Sequence, residues 1–187
     1  MLRHLQIQLI LVLATIILCS VIYPLVLVFI GQGLIPDRAS GSLLYDGQGN
    51  VLGSRLIAQT TPGEEWFQPR PSAVDYNAAG SGGSNLGANN PKLRERVEKQ
   101  LQALNYSRPV PADAVTTSGS GLDPHITLEN ALQQLPRIAR AREVTPQKLE
   151  EFLKSRTVSV PLGGPMLINV LETNLALEKL YPRRNSR

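Results

Sequence analysis

The sequence predicts an α+β fold in which a single N-terminal transmembrane helix is followed by one α+β domain outside the cytoplasm. Two observations predict it. A run without any charged residue extends from Leu9 to Ile30, and the hydrophobic patterns after it follow the order strands, helices, strand, helix. Strands and helices in separate stretches are typical of an α+β domain. We therefore place a membrane anchor at residues 1–34 and the domain at residues 35–187.

The uncharged run is long enough to cross a bilayer. Its 22 residues would span about 33 Å as a helix, against about 30 Å of hydrocarbon. We expect the membrane helix at about residues 8–30, with Leu9, Leu18, Pro24 and Ile30 as residues of the anchor. A kink is expected at Pro24, because proline removes one backbone donor. A cleaved signal peptide would have a shorter apolar stretch of about 7–15 residues.

The charges beside the run give a slight bias in orientation. Arg3 and His4 precede it, and after Arg38 there is no Lys or Arg until Arg55. Because Lys and Arg accumulate on the cytoplasmic side of membrane helices, we expect the N-terminus in the cytoplasm. The main domain would then lie on the other side of the membrane.

Within the domain, turn and capping residues predict where elements begin. A hairpin is expected from Leu43 to Gln59, with Leu56-Ile57-Ala58 in its second arm. A helix is expected to start at Asn90-Pro91, where a capping side chain precedes a proline in the first turn. The later elements are helices that begin at Thr127 and at Thr145-Pro146, a strand at Met166-Leu167-Ile168, and a last helix from Asn169 to Leu180.

The composition excludes several classes of function. A single cysteine, Cys19, cannot form an intramolecular disulfide, and with two histidines it cannot complete a structural zinc site. The formal net charge is +4, without a block of Lys or Arg. Nucleic acid is therefore not a predicted partner.

Two polar, glycine-rich stretches are the candidate functional loops. The stretch from Gly80 to Asn85 lacks the Lys that a P-loop requires after its last glycine, which favours a structural turn. The stretch from Thr117 to His125 contains Ser, Asp and His, but not at the Gly-x-Ser-x-Gly spacing of a hydrolase nucleophile. We therefore predict no catalytic and no metal-ligating residue, and instead contact with a partner or an ion. The candidate contact residues are Asp75, Tyr76, Asn77, Ser84, Asn85, Ser118, Asp123 and His125.

Several longer stretches resemble a known family when they are taken together and in order. They are Gly53 to Gln59, Trp66 to Ala73, Asp75 to Gly87, Val110 to Asp113, Ser118 to Ile126 and Asn169 to Leu177. On these stretches and on the position of the anchor, the chain resembles the C subunits of bacterial Kdp-type potassium-transporting ATPases. It departs from the family at Arg156 and Gly164, where the family usually has His and Glu. A role that depends on that His or that Glu is therefore not expected here.

The resemblance implies a non-catalytic accessory subunit of an ATP-driven, high-affinity potassium importer in the bacterial inner membrane. The implied partners are a potassium-selective channel-like subunit, a P-type ATPase subunit, a small membrane subunit and the lipid bilayer. The family is described as a catalytic chaperone that raises the ATP affinity of the ATPase subunit. The resemblance implies no tightly bound cofactor, since potassium and ATP belong to the whole complex.

Two other hypotheses stand beside this one. The first is a membrane-anchored hydrolase outside the cytoplasm that uses Ser118 or Ser120 together with His125. The second is a membrane-anchored binding module that is unrelated to transport.

Overall fold

The N-terminal apolar run is helical in the computed structural model, which describes residues 1–104, 106–107 and 109–183. Helix α1 (Leu2–Ile17) continues through a π-helical turn (Leu18–Ile22) into α2 (Tyr23–Leu34). This stretch of 33 residues is a candidate membrane span by length and composition, and an 18-residue window within it has a mean hydropathy of 2.8. The side chains of Leu9, Leu18, Pro24 and Ile30 are all exposed, as lipid-facing residues would be.

Pro24 lies directly after the π-helical turn, in the first turn of α2. The backbone N–H of Tyr23 donates to the carbonyl of Leu18, five residues earlier, so the turn is widened just before the proline. Such a bulge is one of the usual ways in which a helix accommodates a missing donor and a bulky ring.

The chain divides into two compact units, Met1–Leu52 and Gly53–Arg187. Besides α1 and α2, the first unit contains the short helix α3 (Pro36–Ala39) and the strand β1 (Leu43–Tyr45). Strand β1 pairs with β2 (Val51–Ser54), which ends the first unit and begins the second. The turn between them is closed by Asp46, whose carboxylate accepts from the backbone N–H groups of Gln48 and Asn50, both at 2.8 Å.

The expected second arm of this hairpin is wrong beyond Ser54. Leu56-Ile57-Ala58 forms a turn rather than a strand. The Ala58 N–H donates to the Leu122 carbonyl at 2.8 Å, and the Arg55 carbonyl accepts from the Asn169 side chain at 2.8 Å. Contacts made far along the chain therefore use the backbone groups that a longer hairpin would have paired.

In its described residues, the second unit contains a small antiparallel sheet and five helices. The sheet has the order β3 (His125–Thr127), β5 (Met166–Asn169), β4 (Val158–Ser159), with Ile126 opposite Ile168. The helices are α4 (Pro91–Ala103), α5 (Ala112–Val115), α6 (Leu128–Arg142), α7 (Pro146–Lys154) and α8 (Val170–Leu180). The predicted α+β class is confirmed for this part of the chain.

Capping side chains start three of the helices as predicted. The Asn90 side chain accepts from the Lys92 N–H at 3.0 Å. The Thr127 hydroxyl accepts from the Asn130 N–H at 3.1 Å, and the Asn169 side chain accepts from the Glu172 N–H at 3.1 Å. Thr145 precedes Pro146 at the start of α7, but its side chain makes no capping hydrogen bond. There, the proline alone marks the helix start.

The hydrophobic core lies between the sheet and helices α6, α7 and α8. Its buried members are Phe67, Ile126, Ala131, Leu135, Ile138, Ala139, Leu149, Phe152, Leu153, Ile168, Val170 and Leu177. Phe67 reaches this core from an irregular segment, since residues 59–68 form neither helix nor strand. Its backbone therefore has no partner from regular secondary structure.

Two side-chain amides supply that missing partner. Asn174 accepts from the Phe67 N–H at 2.9 Å and donates to the Phe67 carbonyl at 2.9 Å. Gln134 does the same for the next residue, accepting from the Gln68 N–H at 2.7 Å and donating to its carbonyl at 3.1 Å. Asn174 and Gln134 are both 2% exposed. We call these two residues the amide clamps; each reproduces the pair of hydrogen bonds that a neighbouring strand would make.

Two arginines secure the residues just before Phe67, the first of the two residues that the amide clamps hold. Arg137 donates to the Trp66 carbonyl at 2.8 Å and also to the Glu64 carbonyl. Arg142 donates to the Glu65 carbonyl at 2.9 Å and, through its Nη1, to Glu178 at 2.8 Å. Burial lowers the pKa of Arg137, although the nearby carboxylates oppose this effect. Helices α6 and α8 thus hold an irregular segment through side chains.

Replacement of Asn174 by Leu should destabilise the protein by about 2–4 kcal/mol, because the buried N–H and carbonyl of Phe67 would both lose their partner. Unfolding of the full chain in detergent by urea, followed through the fluorescence of the single tryptophan Trp66, measures this. Asn89→Leu is the matched control, since Asn89 is exposed in a turn. Equal stability of the two variants would contradict the clamp's role.

Candidate functional site

The two glycine-rich loops lie against each other, backbone to backbone. We call residues 72–87 the first glycine loop and residues 117–125 the second. The Gly82 N–H donates to the Ser120 carbonyl at 2.8 Å, and the Ser81 hydroxyl donates to the same carbonyl at 3.1 Å. A Cβ at Gly83 would lie 2.9 Å from the Gly119 carbonyl oxygen. The approach is therefore too close for a side chain at that position.

Ser72 connects the two loops through its hydroxyl. It donates to the Gly121 carbonyl at 2.7 Å and accepts from the N–H groups of Val74 and Tyr76, at 3.2 and 3.0 Å. Gly121 has a φ of +69°, and a Cβ there would collide with the Gly82 carbonyl. Both the conformation and the contact therefore require glycine.

Arg70 joins the start of the first loop to the second loop by charge. Its guanidinium lies 3.2 Å from the Asp123 carboxylate and donates to the Thr117 carbonyl at 3.3 Å. The His125 side chain, whose Nδ1 is 3.6 Å from Asp123, contributes most to lowering the pKa of that carboxyl, and Arg70 lowers it further. Asp123 is therefore a carboxylate with two cationic or polar neighbours rather than a free ligand.

The candidate residues of the first loop are held in an unusual backbone conformation. Asp75, Tyr76 and Asn85 have φ values of +50°, +56° and +52°. The Tyr76 hydroxyl donates to the Arg70 carbonyl at 2.9 Å, and burial raises the pKa of this phenol, which keeps it a donor. Asn77 accepts from the Ala79 N–H at 3.0 Å. Backbone strain of this kind persists only where surrounding contacts enforce it.

The candidate residues of the second loop have mainly structural contacts. Ser118 is 5% exposed, and its hydroxyl accepts from the Asp123 N–H at 3.4 Å. The Ser120 hydroxyl accepts from the Leu122 N–H at 3.1 Å, and the His125 N–H donates to Asp123 at 3.0 Å. Among the described residues, neither serine hydrogen bonds to His125. The geometry therefore gives no support to a serine hydrolase.

The structure brings some candidates together and separates others. Ser118, Asp123 and His125 form one cluster in the second loop, and Asp123 links it to the first loop through Arg70. Ser84 instead lies beside α4, in a groove that Lys92 and Arg96 also line. No group of three or more His, Cys, Asp or Glu residues suited to a metal ion occurs in the part of the chain that the structure describes.

Three structural residues of this region were missed from the sequence. They are Arg70, Ser72 and Asp113. Asp113 accepts from the Thr127 N–H at 2.8 Å and from the Asn130 side chain at 3.1 Å, which fixes the step from β3 into α6.

Gly83→Ala should destabilise the paired loops by about 1–3 kcal/mol, because the new Cβ would press on a backbone carbonyl that cannot rotate away. Gly119→Ala should stay within about 0.5 kcal/mol of the unchanged chain, since a Cβ there meets nothing within 4 Å. Neither glycine has a positive φ, so the pair isolates the steric effect. Urea unfolding of both variants measures it, and a Gly119→Ala variant as unstable as Gly83→Ala would contradict the expectation.

Comparison with known proteins identifies the family. The family described as KdpC, K+-transporting ATPase, c chain, matches residues 5–179. The chain is 47% identical over 161 residues to the potassium-transporting ATPase KdpC subunit of Pseudomonas putida, covering 85% of this chain and 86% of that protein. The subunit of the same name from Geobacter sulfurreducens is 45% identical over 174 residues, 89% of this chain and 92% of that protein.

The likeness extends across distant bacteria. The potassium-transporting ATPase KdpC subunit of Bacillus cereus is 40% identical over 172 residues, 88% of this chain and 89% of its own length. The matched range includes most of the candidate membrane helix, both glycine loops and the amide clamps. The resemblance expected from the sequence is thus confirmed, and the chain belongs to the KdpC family of potassium-transporting ATPase subunits.

Proposed function

We propose that this chain is a non-catalytic accessory subunit that assembles and stabilises an ATP-driven, high-affinity potassium import complex. The observation that carries this proposal is the family match over residues 5–179. The matched range covers most of a candidate membrane helix and a domain whose described residues form no catalytic arrangement. The relatives are named subunits of a potassium-transporting ATPase. An unrelated binding module is therefore no longer a useful alternative.

The proposed partners divide between the two parts of the chain. The helix from Leu2 to Leu34 would pack against the membrane subunits, which are a channel-like potassium-selective subunit, a P-type ATPase subunit and a small membrane subunit. The paired glycine loops would dock on the outer side of the channel-like subunit. Rigid loops on a packed scaffold suit this role, because they bind without the entropic cost of becoming ordered.

The proposed location is the bacterial inner membrane, crossed once, with the N-terminus in the cytoplasm. In that orientation the domain cannot touch ATP, which is on the cytoplasmic side. As a catalytic chaperone, the subunit would raise the ATP affinity of the ATPase subunit. In this orientation, its binding to the complex would have to be coupled to ATP binding through the membrane part. No tightly bound cofactor is proposed for this chain, and potassium and ATP belong to the complex.

Deletion of this chain, with the other subunits kept, should abolish co-purification of the complex or its potassium-stimulated ATP hydrolysis. Re-expression should restore both. A narrower variant, Ala79→Arg, places a large charged side chain on the exposed part of the first glycine loop and should weaken recovery of the partners at least about tenfold, a loss of about 1.4 kcal/mol. Gln102→Arg on α4 is the matched control, since Gln102 is equally exposed.

An intact and fully active complex without the chain would overturn the accessory role. Full recovery of partners by Ala79→Arg, with normal assembly otherwise, would overturn only the docking of the first glycine loop.

The orientation can be tested in whole cells by labelling a single introduced cysteine. Cys19 is first replaced by Ala, and Ala79→Cys then places a thiol on the exposed loop. A membrane-impermeant maleimide should label it in intact cells once the outer membrane is permeable. Leu2→Cys should be labelled only after lysis. The opposite pattern would place the domain in the cytoplasm and permit direct contact with ATP.

A further inference from the structure

One face of α4 carries three cations. Lys92, Arg96 and Lys99 are spaced at i, i+4 and i+7, which brings their side chains to the same side of a helix. All three side chains are exposed, and within the described ranges they make no ion pair and no side-chain hydrogen bond. Two other cations of the domain, Arg70 and Arg142, differ from these three because they lie 3.2 and 2.8 Å from carboxylates. We call these three residues the basic stripe.

A groove runs beside the basic stripe. Its volume is about 380 Å³, and it is lined by Ser84, Leu86, Lys92, Glu95, Arg96 and Lys99. Glu95 supplies one negative charge against three positive ones, so the groove has a net charge of about +2 at neutral pH. The groove therefore suits an anion, and it has space beside the charged group for a small polar or apolar part of the ligand.

The apolar side of α4 is not available for docking. Leu93, Val97 and Leu101 are already half-buried, whereas the basic stripe points to solvent. A partner would therefore be recognised through charge, and the surface must be dense in negative charge to engage three cations at once.

We propose that the basic stripe binds the anionic headgroups of the phospholipid bilayer in which the chain itself is anchored. This inference rests on the proposed membrane anchoring. Near an anionic leaflet, each Lys or Arg contributes about 1 kcal/mol to the free energy of membrane binding. This is weak for one residue, but the contributions of the three residues add. Because the domain is covalently tethered to its membrane helix, the headgroups are present at a high effective concentration, so modest affinity is sufficient.

An acidic segment of a protein partner has the same sign of charge, but such a segment is close only in the assembled complex, whereas the covalent tether keeps the lipid surface close in every state. The tether favours the lipid surface.

The test measures lysine acetylation by a water-soluble reagent on the full chain in lipid nanodiscs. In discs that contain phosphatidylglycerol, Lys92 and Lys99 should react roughly fivefold more slowly than in phosphatidylcholine discs, the factor that corresponds to about 1 kcal/mol per cation. The protection should disappear in about 0.5 M NaCl, where charges are screened within a few ångströms. Lys148 and Lys179, both exposed and outside the stripe, serve as internal references and should not change.

Charge reversal separates the stripe from general electrostatics. Arg96→Glu should remove the protection of Lys92 and Lys99, whereas Arg140→Glu, at an exposed position of α6, should leave it intact. Equal acetylation rates in the two kinds of disc would overturn the lipid proposal, as would protection that appears only when the partner subunits are added, which would indicate an acidic protein surface. Failure of the chain to stay in the discs would instead contradict the anchoring on which the inference rests.

Discussion

The amide clamps are the interaction on which the domain depends. Phe67 must enter the core, yet its segment has no strand to pair with, and an unpaired buried N–H or carbonyl costs about 1–3 kcal/mol. Asn174 removes this cost for Phe67, and Gln134 does so for Gln68. Since the two clamps come from α8 and α6, they also join these helices to the same irregular segment.

The clamp at Gln134 extends into a buried polar network that reaches the glycine loops. Gln134 donates to Asn130, and Asn130 donates to Asp113, which also holds Thr127 at the end of β3. The second glycine loop leads directly into this strand, whose first residue is His125. A fully hydrogen-bonded network of this kind is rigid, so it fixes where the loops are presented. This is a suitable framework for docking and a poor one for a mobile catalytic centre.

Local signals in the sequence were sufficient for much of the fold. The uncharged run, the caps at Asn90, Thr127 and Asn169, and the periodicity of α6 all act over a few residues, so they can be recognised without knowing the tertiary contacts. The hairpin prediction was wrong at Leu56-Ile57-Ala58. The backbone groups in and beside this segment hydrogen bond instead to Leu122 and Asn169, which are more than 60 residues away. No local pattern reports such competition.

The same distinction holds for the site. The residue types alone were enough to mark the two glycine-rich stretches and to disfavour a P-loop or a hydrolase elbow there, because those motifs need particular neighbours in the chain. Only the folded domain shows that the two stretches pack on one another. It also shows that Gly83 faces Gly119, and that Ser72 and Arg70 connect the two loops. Membership in the KdpC family and the presence of a candidate membrane helix follow from the order of residues, which sets family and hydrophobicity. The amide clamps and the unpaired basic stripe follow from packing, because only distance in space decides which polar group finds a partner.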